Sequence, residues 1–144
     1  MLKGIPAVLS PELLKTLCEM GHGDEIVLAN ANFPAVSCAK KLIRLDGIRI
    51  IDLLDPILSL FPLDSYVDAP LALMQVPAGY SGLPPVWNAY REIVKKYDTK
   101  AGFEEVERFA FYERAKTAFA VVATGETASY SCLILKKGFI VFEE

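Results

Sequence analysis

The chain has 144 residues, 53% of them apolar, with a formal net charge of −3. That length suits one domain, residues 1–144, with a sizeable core, and no apolar run reaches the roughly 18 to 20 residues of a membrane-spanning helix. The basic residues are scattered, densest at Lys40-Lys41, Lys95-Lys96 and Lys136-Lys137, and give no electrostatic footprint for nucleic acid.

Ser10-Pro11-Glu12 opens the first predicted helix, over 11–20: serine can cap, proline suits the first helical position, and an acid favours the positive end. Leu14, Leu17 and Cys18 recur at helical spacing, and Gly21 can stop it. Ile26-Val27-Leu28 is too short for a helix and β-rich in type, a buried strand. A loop is expected over 31–41 and a brief strand within 43–48. Leucines and isoleucines at helical intervals mark 50–61, where Pro56 either kinks the helix or begins it after Asp55.

A strand with an irregular start is expected over 66–76, and the proline- and glycine-rich stretch 77–85 is loop. Val86, Tyr90, Ile93, Val94 and Tyr97 mark an amphipathic helix. Alternation then predicts a strand over 105–111, helical spacing a helix over 112–123, and β-rich residues a strand over 130–135, with a last short strand after Gly138. Helices alternating with buried strands indicate an α/β sandwich.

A mean hydropathy of +0.32 is high for a chain that must also keep a wet surface. A subunit interface is the expected sink for the surplus, so a homo-oligomer is expected. The N-terminus shows no apolar segment followed by a cleavage site, and a cytoplasmic location is expected. Cys18, Cys38 and Cys132 are widely spaced, without CxxC, beside a single histidine; that set forms neither a disulfide framework nor a zinc site.

The one histidine, His22, lies in Gly21-His22-Gly23-Asp24-Glu25. Flanking glycines allow close approach of another molecule, and an imidazole on such a loop can move protons near neutral pH. The alternative is a turn histidine bonded to Asp24. Arg108, Tyr112 and Tyr130 supply a guanidinium fork and aromatic faces, equipment for gripping a sugar, although such residues also do structural work at layer edges. Asp64 is either a catalytic carboxylate or a turn residue. Cys132 lies in an apolar strand, where a thiol stays protonated and inert. No Walker A loop, GxGxxG or GxSxG occurs.

Several stretches carry a more specific signal: Leu2-Lys3-Gly4-Ile5-Pro6, Leu9-Ser10-Pro11-Glu12-Leu13-Leu14, Met20 through Ala29, Asn32-Phe33-Pro34-Ala35, Arg108 through Ala115, and Ala118 through Glu126. In this order, over nearly the whole chain, they resemble the ribose pyranase and fucose mutarotase family, on its fucose branch. The resemblance implies a single-domain, three-layer α/β/α sandwich that interconverts the anomers of L-fucose without cofactor or metal. It also implies a ring-shaped homo-oligomer, typically a decamer, with sites near subunit contacts. Carried over by position, the catalytic histidine falls on His22 and its acidic partner on Asp64, with sugar contacts at Met74, Arg108, Tyr112 and Tyr130.

Two positions depart from the family pattern: Asn30 stands where an aspartate is usual, and Cys132 where an asparagine is usual. Asn30 can bond hydroxyls but holds no charge, and a thiol donates and accepts only weakly. Two alternatives therefore accompany the mutarotase reading, a sugar-binding ring with weakened turnover and the sister activity on D-ribose.

Overall fold

The computed structural model describes residues 1–143. Its elements in chain order are α1 (Pro11–Glu19), β1 (Glu25–Ala29), α2 (Ala35–Cys38), β2 (Leu42–Leu45), α3 (Ile50–Leu58), β3 (Leu71–Met74), α4 (Pro85–Lys95), β4 (Phe103–Val106), α5 (Arg108–Thr117), β5 (Ala120–Thr124) and β6 (Leu133–Lys136). The strands form one sheet in the order β2-β5-β1-β6-β3-β4. Neighbours pair in parallel except β6, which runs antiparallel to β1 and to β3. The carboxyl ends of the other five strands therefore share one edge of the sheet with the amino end of β6.

Side-chain alternation sorts the strands into two cores. Ile26 and Leu28, Leu71 and Leu73, Ala120 and Val122, and Leu133 and Leu135 pack with Leu13 and Leu17 of α1, Leu53 and Ile57 of α3, and Trp87, Tyr90 and Val94 of α4. Val27, Ala29, Ala72, Met74, Val121, Ala123 and Ile134 face the other way, onto Ala35 and Cys38 of α2 and Phe111 and Ala115 of α5. Helices thus cover both faces, giving the expected α/β/α layering.

Local signals explain the elements that match the sequence reading. Ser10 Oγ accepts from the Leu13 amide at 3.2 Å and Pro11 opens α1, a cap worth about 1 kcal/mol. The helix α3 runs on through Pro56, which has no N–H to donate within it.

Several expectations are corrected. The helix expected over 112–123 ends at Thr117, and Ala120–Thr124 is strand β5, wholly buried between β1 and β2. A strand covered on both faces reads as a near-continuous apolar run, here Ala120 to Ala123, and shows no alternation to set against helical spacing. The strand expected over 105–111 is Phe103–Val106; Glu107 then caps α5, its carboxylate accepting from the Phe109 and Ala110 amides at 3.0 Å. Arg108 therefore begins a helix rather than lying on a strand. The strand expected over 66–76 is reduced to Leu71–Met74, and the late strand begins at Leu133 rather than at Tyr130, which has φ of 53°. The loop over 31–41 contains the short α2. Beyond Gly138 no strand forms among the described residues; Lys137 makes a single bridge to Leu63.

Candidate active site

The segment carrying His22 is drawn to β6. Gly23 N–H donates to the Lys137 carbonyl and Lys137 N–H to the Asp24 carbonyl, each at 2.8 Å. On the far side of the same segment, Asp64 N–H donates to the Lys136 carbonyl at 3.1 Å and Gly138 N–H to the Pro62 carbonyl at 2.7 Å. A Cβ on Gly138 would stand 2.5 Å from the Leu63 carbonyl oxygen, so only glycine permits this approach. Residues 42 apart in sequence thereby meet, with His22 Nε2 at 2.9 Å from Asp64 Oδ1.

Asp64 is buried and the imidazole half-exposed. Burial alone would raise the Asp64 carboxyl. The Tyr66 amide at 3.0 Å, the bond from His22 and the nearby Lys136 outweigh it and hold the group below the ordinary carboxylate range. An ionised carboxylate only accepts, so His22 Nε2 is the donor in this bond. The Tyr66 and Phe139 rings flank the imidazole, with centroids at 5.2 and 4.9 Å. His22 opens onto a cavity of about 490 Å³ lined by Met20, Phe61, Phe139 and Phe142.

Asp64 closes a turn onto the Tyr66 amide and is also bonded to His22. The expected bond from His22 to Asp24 does not form: Asp24 Oδ2 accepts instead from the Gly21 amide, at 2.7 Å.

The remaining candidates lie at the opposite edge. Asn30 follows β1, Met74 ends β3, Arg108 follows β4, and Tyr130 and Cys132 precede β6. Arg108 Nε donates to the Tyr112 hydroxyl at 3.0 Å, and its guanidinium lies over the Tyr112 ring. Asn30 N–H points to Cys132 Sγ at 3.3 Å, and its amide donates to Ser131 Oγ at 3.2 Å. Met74, Tyr112, Tyr130 and Cys132 share one cluster. Burial pushes the Cys132 thiol up to about 12, which removes it as a nucleophile at neutral pH.

One chain therefore holds two groups of candidates, the His22–Asp64 pair and a polar-aromatic cradle, separated by the length of β1 with its flanking turns, on the order of 20 Å. The family resemblance implies one site for all eight residues, near subunit contacts, and within a single chain the structure does not bring them together.

Sequence reasoning missed the residues that brace each group. Tyr66 and Gly138 set the His22–Asp64 pair. At the other edge Trp87 Nε1 donates to the Tyr130 carbonyl at 2.8 Å, Tyr90 Oη donates to the Ser131 carbonyl at 2.7 Å, and the Tyr80 ring stands edge-on to Tyr130 at 5.2 Å. Only the Asp64-Ser65-Tyr66 spacing, suited to a side-chain turn, signalled any of these.

The sequence pattern of the RbsD / FucU transport protein family matches residues 3–140. The chain belongs to this family. Among RbsD/FucU relatives, fucose mutarotase of Danio rerio is 56% identical, with 100% of this chain and 97% of the relative covered. Fucose mutarotase of Homo sapiens is 55% identical, over 96% and 94%. The Streptococcus pneumoniae fucose mutarotase, solved in complex with L-fucose, superposes with a TM-score of 0.92 at 55% identity, over 97% of this chain and 100% of that one. RbsD of Bacillus subtilis, solved with D-ribose, has a TM-score of 0.72 at 22% identity, over 98% and 100%; it shares the RbsD/FucU fold.

Proposed function

We propose that this protein is an L-fucose mutarotase, interconverting the α and β anomers by opening and closing the pyranose ring. The observation that carries the reading is the His22–Asp64 pair at 2.9 Å, in a chain 55% identical over nearly its full length to a fucose mutarotase solved with its sugar.

Anomer exchange needs a proton removed from the anomeric hydroxyl, a proton delivered to the ring oxygen, and rotation about C1–C2 before reclosure. His22 Nδ1 takes the first proton. Asp64, bonded to Nε2, stabilises the imidazolium that results, and Nδ1 then gives its proton to the ring oxygen. Placed acid/base groups of this kind contribute about 10² to 10⁴ in rate. No redox step is involved and no cofactor is assigned.

The sugar is gripped by the other half-site: Arg108 and the Tyr112 and Tyr130 hydroxyls as polar contacts, aromatic faces against the C–H surface, Asn30 on a hydroxyl, and Met74 and Cys132 beneath. Because the two halves lie at opposite edges of the sheet, the complete site forms between copies, His22 and Asp64 from one and the cradle from its neighbour. The exposed Phe139, Ile140, Val141 and Phe142 beside the His22 cavity are the apolar surface such an interface covers. The assembly is a homo-oligomeric ring, a decamer, working in the cytoplasm. Among the described residues no helix is long and apolar enough to cross a membrane.

Saturation-transfer NMR on L-fucose tests the activity. Exchange between anomers above the uncatalysed rate, lost in His22→Ala, is the expected result. Equal exchange with and without the histidine favours a second reading, a sugar-binding ring without turnover, to which Cys132 in place of an amide side chain points. Faster exchange on D-ribose than on L-fucose moves the assignment to the pyranase activity.

A further inference from the structure

Outside the residues already assigned, one buried charge has no part in the mechanism. Glu126 is 5% exposed. Its Oε2 accepts from the Thr127 and Ala128 amides at 3.1 and 3.3 Å, while Oε1 is buried without a hydrogen-bond partner among the described residues. A carboxylate taken out of water with one oxygen unengaged is a poor contributor to stability, so its value lies in what it positions.

The bonds radiating from it reach the cradle by two routes. Along the backbone, the Glu126 carbonyl accepts from the Ala31 amide at 2.8 Å, tying the segment after Asn30 to the β5 end. Through the side chain, Oε2 holds the Thr127–Ala128 turn, and the Ala128 carbonyl in turn accepts from Ser131 Oγ at 2.6 Å and from the Asn30 amide at 3.4 Å. Asn30 and the Tyr130-Ser131-Cys132 segment, which come from different strands, are therefore referenced to one carboxylate.

We infer that Glu126 is a positioning residue for sugar binding, setting the separation of Asn30 from Tyr130 through the Ala128 peptide. The inference rests on the mutarotase reading for its substrate. It concerns reach rather than charge, since both contacts are to backbone amides and a side-chain amide of the same length offers the same carbonyl oxygen.

The test uses the full-length assembled protein with L-fucose, reading KM and kcat by NMR anomer exchange and the emission of Trp87, the one tryptophan, which bonds the Tyr130 carbonyl. Glu126→Ala and Glu126→Asp, the latter charged but one methylene too short, are expected to raise KM about tenfold and to shift Trp87 emission. The kcat, set at the other edge by His22 and Asp64, should stay within about twofold, with its pH profile unmoved. Glu126→Gln should keep KM within about threefold of the parent. Wild-type KM in Glu126→Asp, or a fall in kcat that Glu126→Gln does not rescue, overturns the inference. If Glu126→Ala does not fold, Glu126→Asp and Glu126→Gln decide the question alone. If the parent protein exchanges no fucose anomers, the functional reading fails by itself, and Trp87 emission in the same variants still reports whether the carboxylate holds the Tyr130 segment.

Discussion

The indole N–H of Trp87 donates to the carbonyl of Tyr130 at 2.8 Å, so a side chain in the core between α4 and the sheet holds this proposed sugar contact in the left-handed conformation it adopts. Tyr130 has φ of 53°, a geometry that costs a non-glycine residue about 1 kcal/mol or more and persists only where neighbours fix it. The neighbouring bond, Tyr90 to the Ser131 carbonyl, does the same one residue on.

Tyr90→Phe leaves that buried carbonyl without its donor. The expected loss is about 1 to 3 kcal/mol of stability in urea denaturation, with a higher KM because Tyr130 is less firmly held. A variant as stable as the parent would show that the hydroxyl is dispensable.

Asp64 should make stability depend on pH in a defined direction. Its carboxyl is held below the ordinary range, so folding binds fewer protons, and the stabilisation is full above the unfolded value near about 4 and lost as pH falls through the folded one. Asp64→Asn should therefore unfold more easily than the parent at neutral pH, by about 1 to 3 kcal/mol. The gap should close at low pH. Thermal melts between neutral and strongly acidic buffer measure this, and a constant gap contradicts the assignment.

Two glycines separate close packing from ordinary turn preference. A Cβ at Gly138 meets the Leu63 carbonyl oxygen at 2.5 Å, whereas one at Gly47 meets nothing within 4 Å. Gly138→Ala should push residues 63 and 64 away from β6 and reduce kcat at least about tenfold, by the sensitivity of proton transfer to placement. Gly47→Ala should leave kcat as it was. Equal rates in the two variants would remove the claim that Gly138 sets Asp64.

The three cysteines differ in access. Cys38 and Cys132 are buried and Cys18 is exposed, and the Cys132 thiol is pushed up to about 12. In native protein at mildly alkaline pH, iodoacetamide should spare Cys38 and Cys132, leaving Cys18 as the thiol able to react. All three should react after denaturation. Peptide mapping reads the sites, and native labelling of Cys132 would contradict its burial.

A site divided between copies can be rebuilt from two defective ones. His22→Ala and Tyr130→Ala chains are each expected to be inactive. Unfolded together and reassembled in equal amounts, they should recover about a quarter of parental activity, the share of contacts that pair an intact histidine with an intact cradle. Co-refolded mixtures no more active than their parts would place the complete site within one chain.

The parts of this protein legible in the sequence are those that depend on neighbours along the chain. Ser10-Pro11-Glu12 starts α1 because a cap and a fixed φ act within one turn, and the spacing of Val86, Tyr90, Ile93, Val94 and Tyr97 finds α4 because one face, with Tyr90 and Val94, meets the core. The candidates themselves were visible as residue types, a glycine-flanked histidine and an arginine with tyrosines, but their grouping came from the family resemblance. What the tertiary structure decided is which of them meet. His22 and Asn30 are eight residues apart yet stand at opposite edges because β1 runs straight between them, while His22 and Asp64 touch because β6 alone runs against its neighbours and draws both segments to its carboxyl end. Strand order and direction follow from long-range packing, which no local spacing encodes; β5, buried at every position, passed for helix for the same reason.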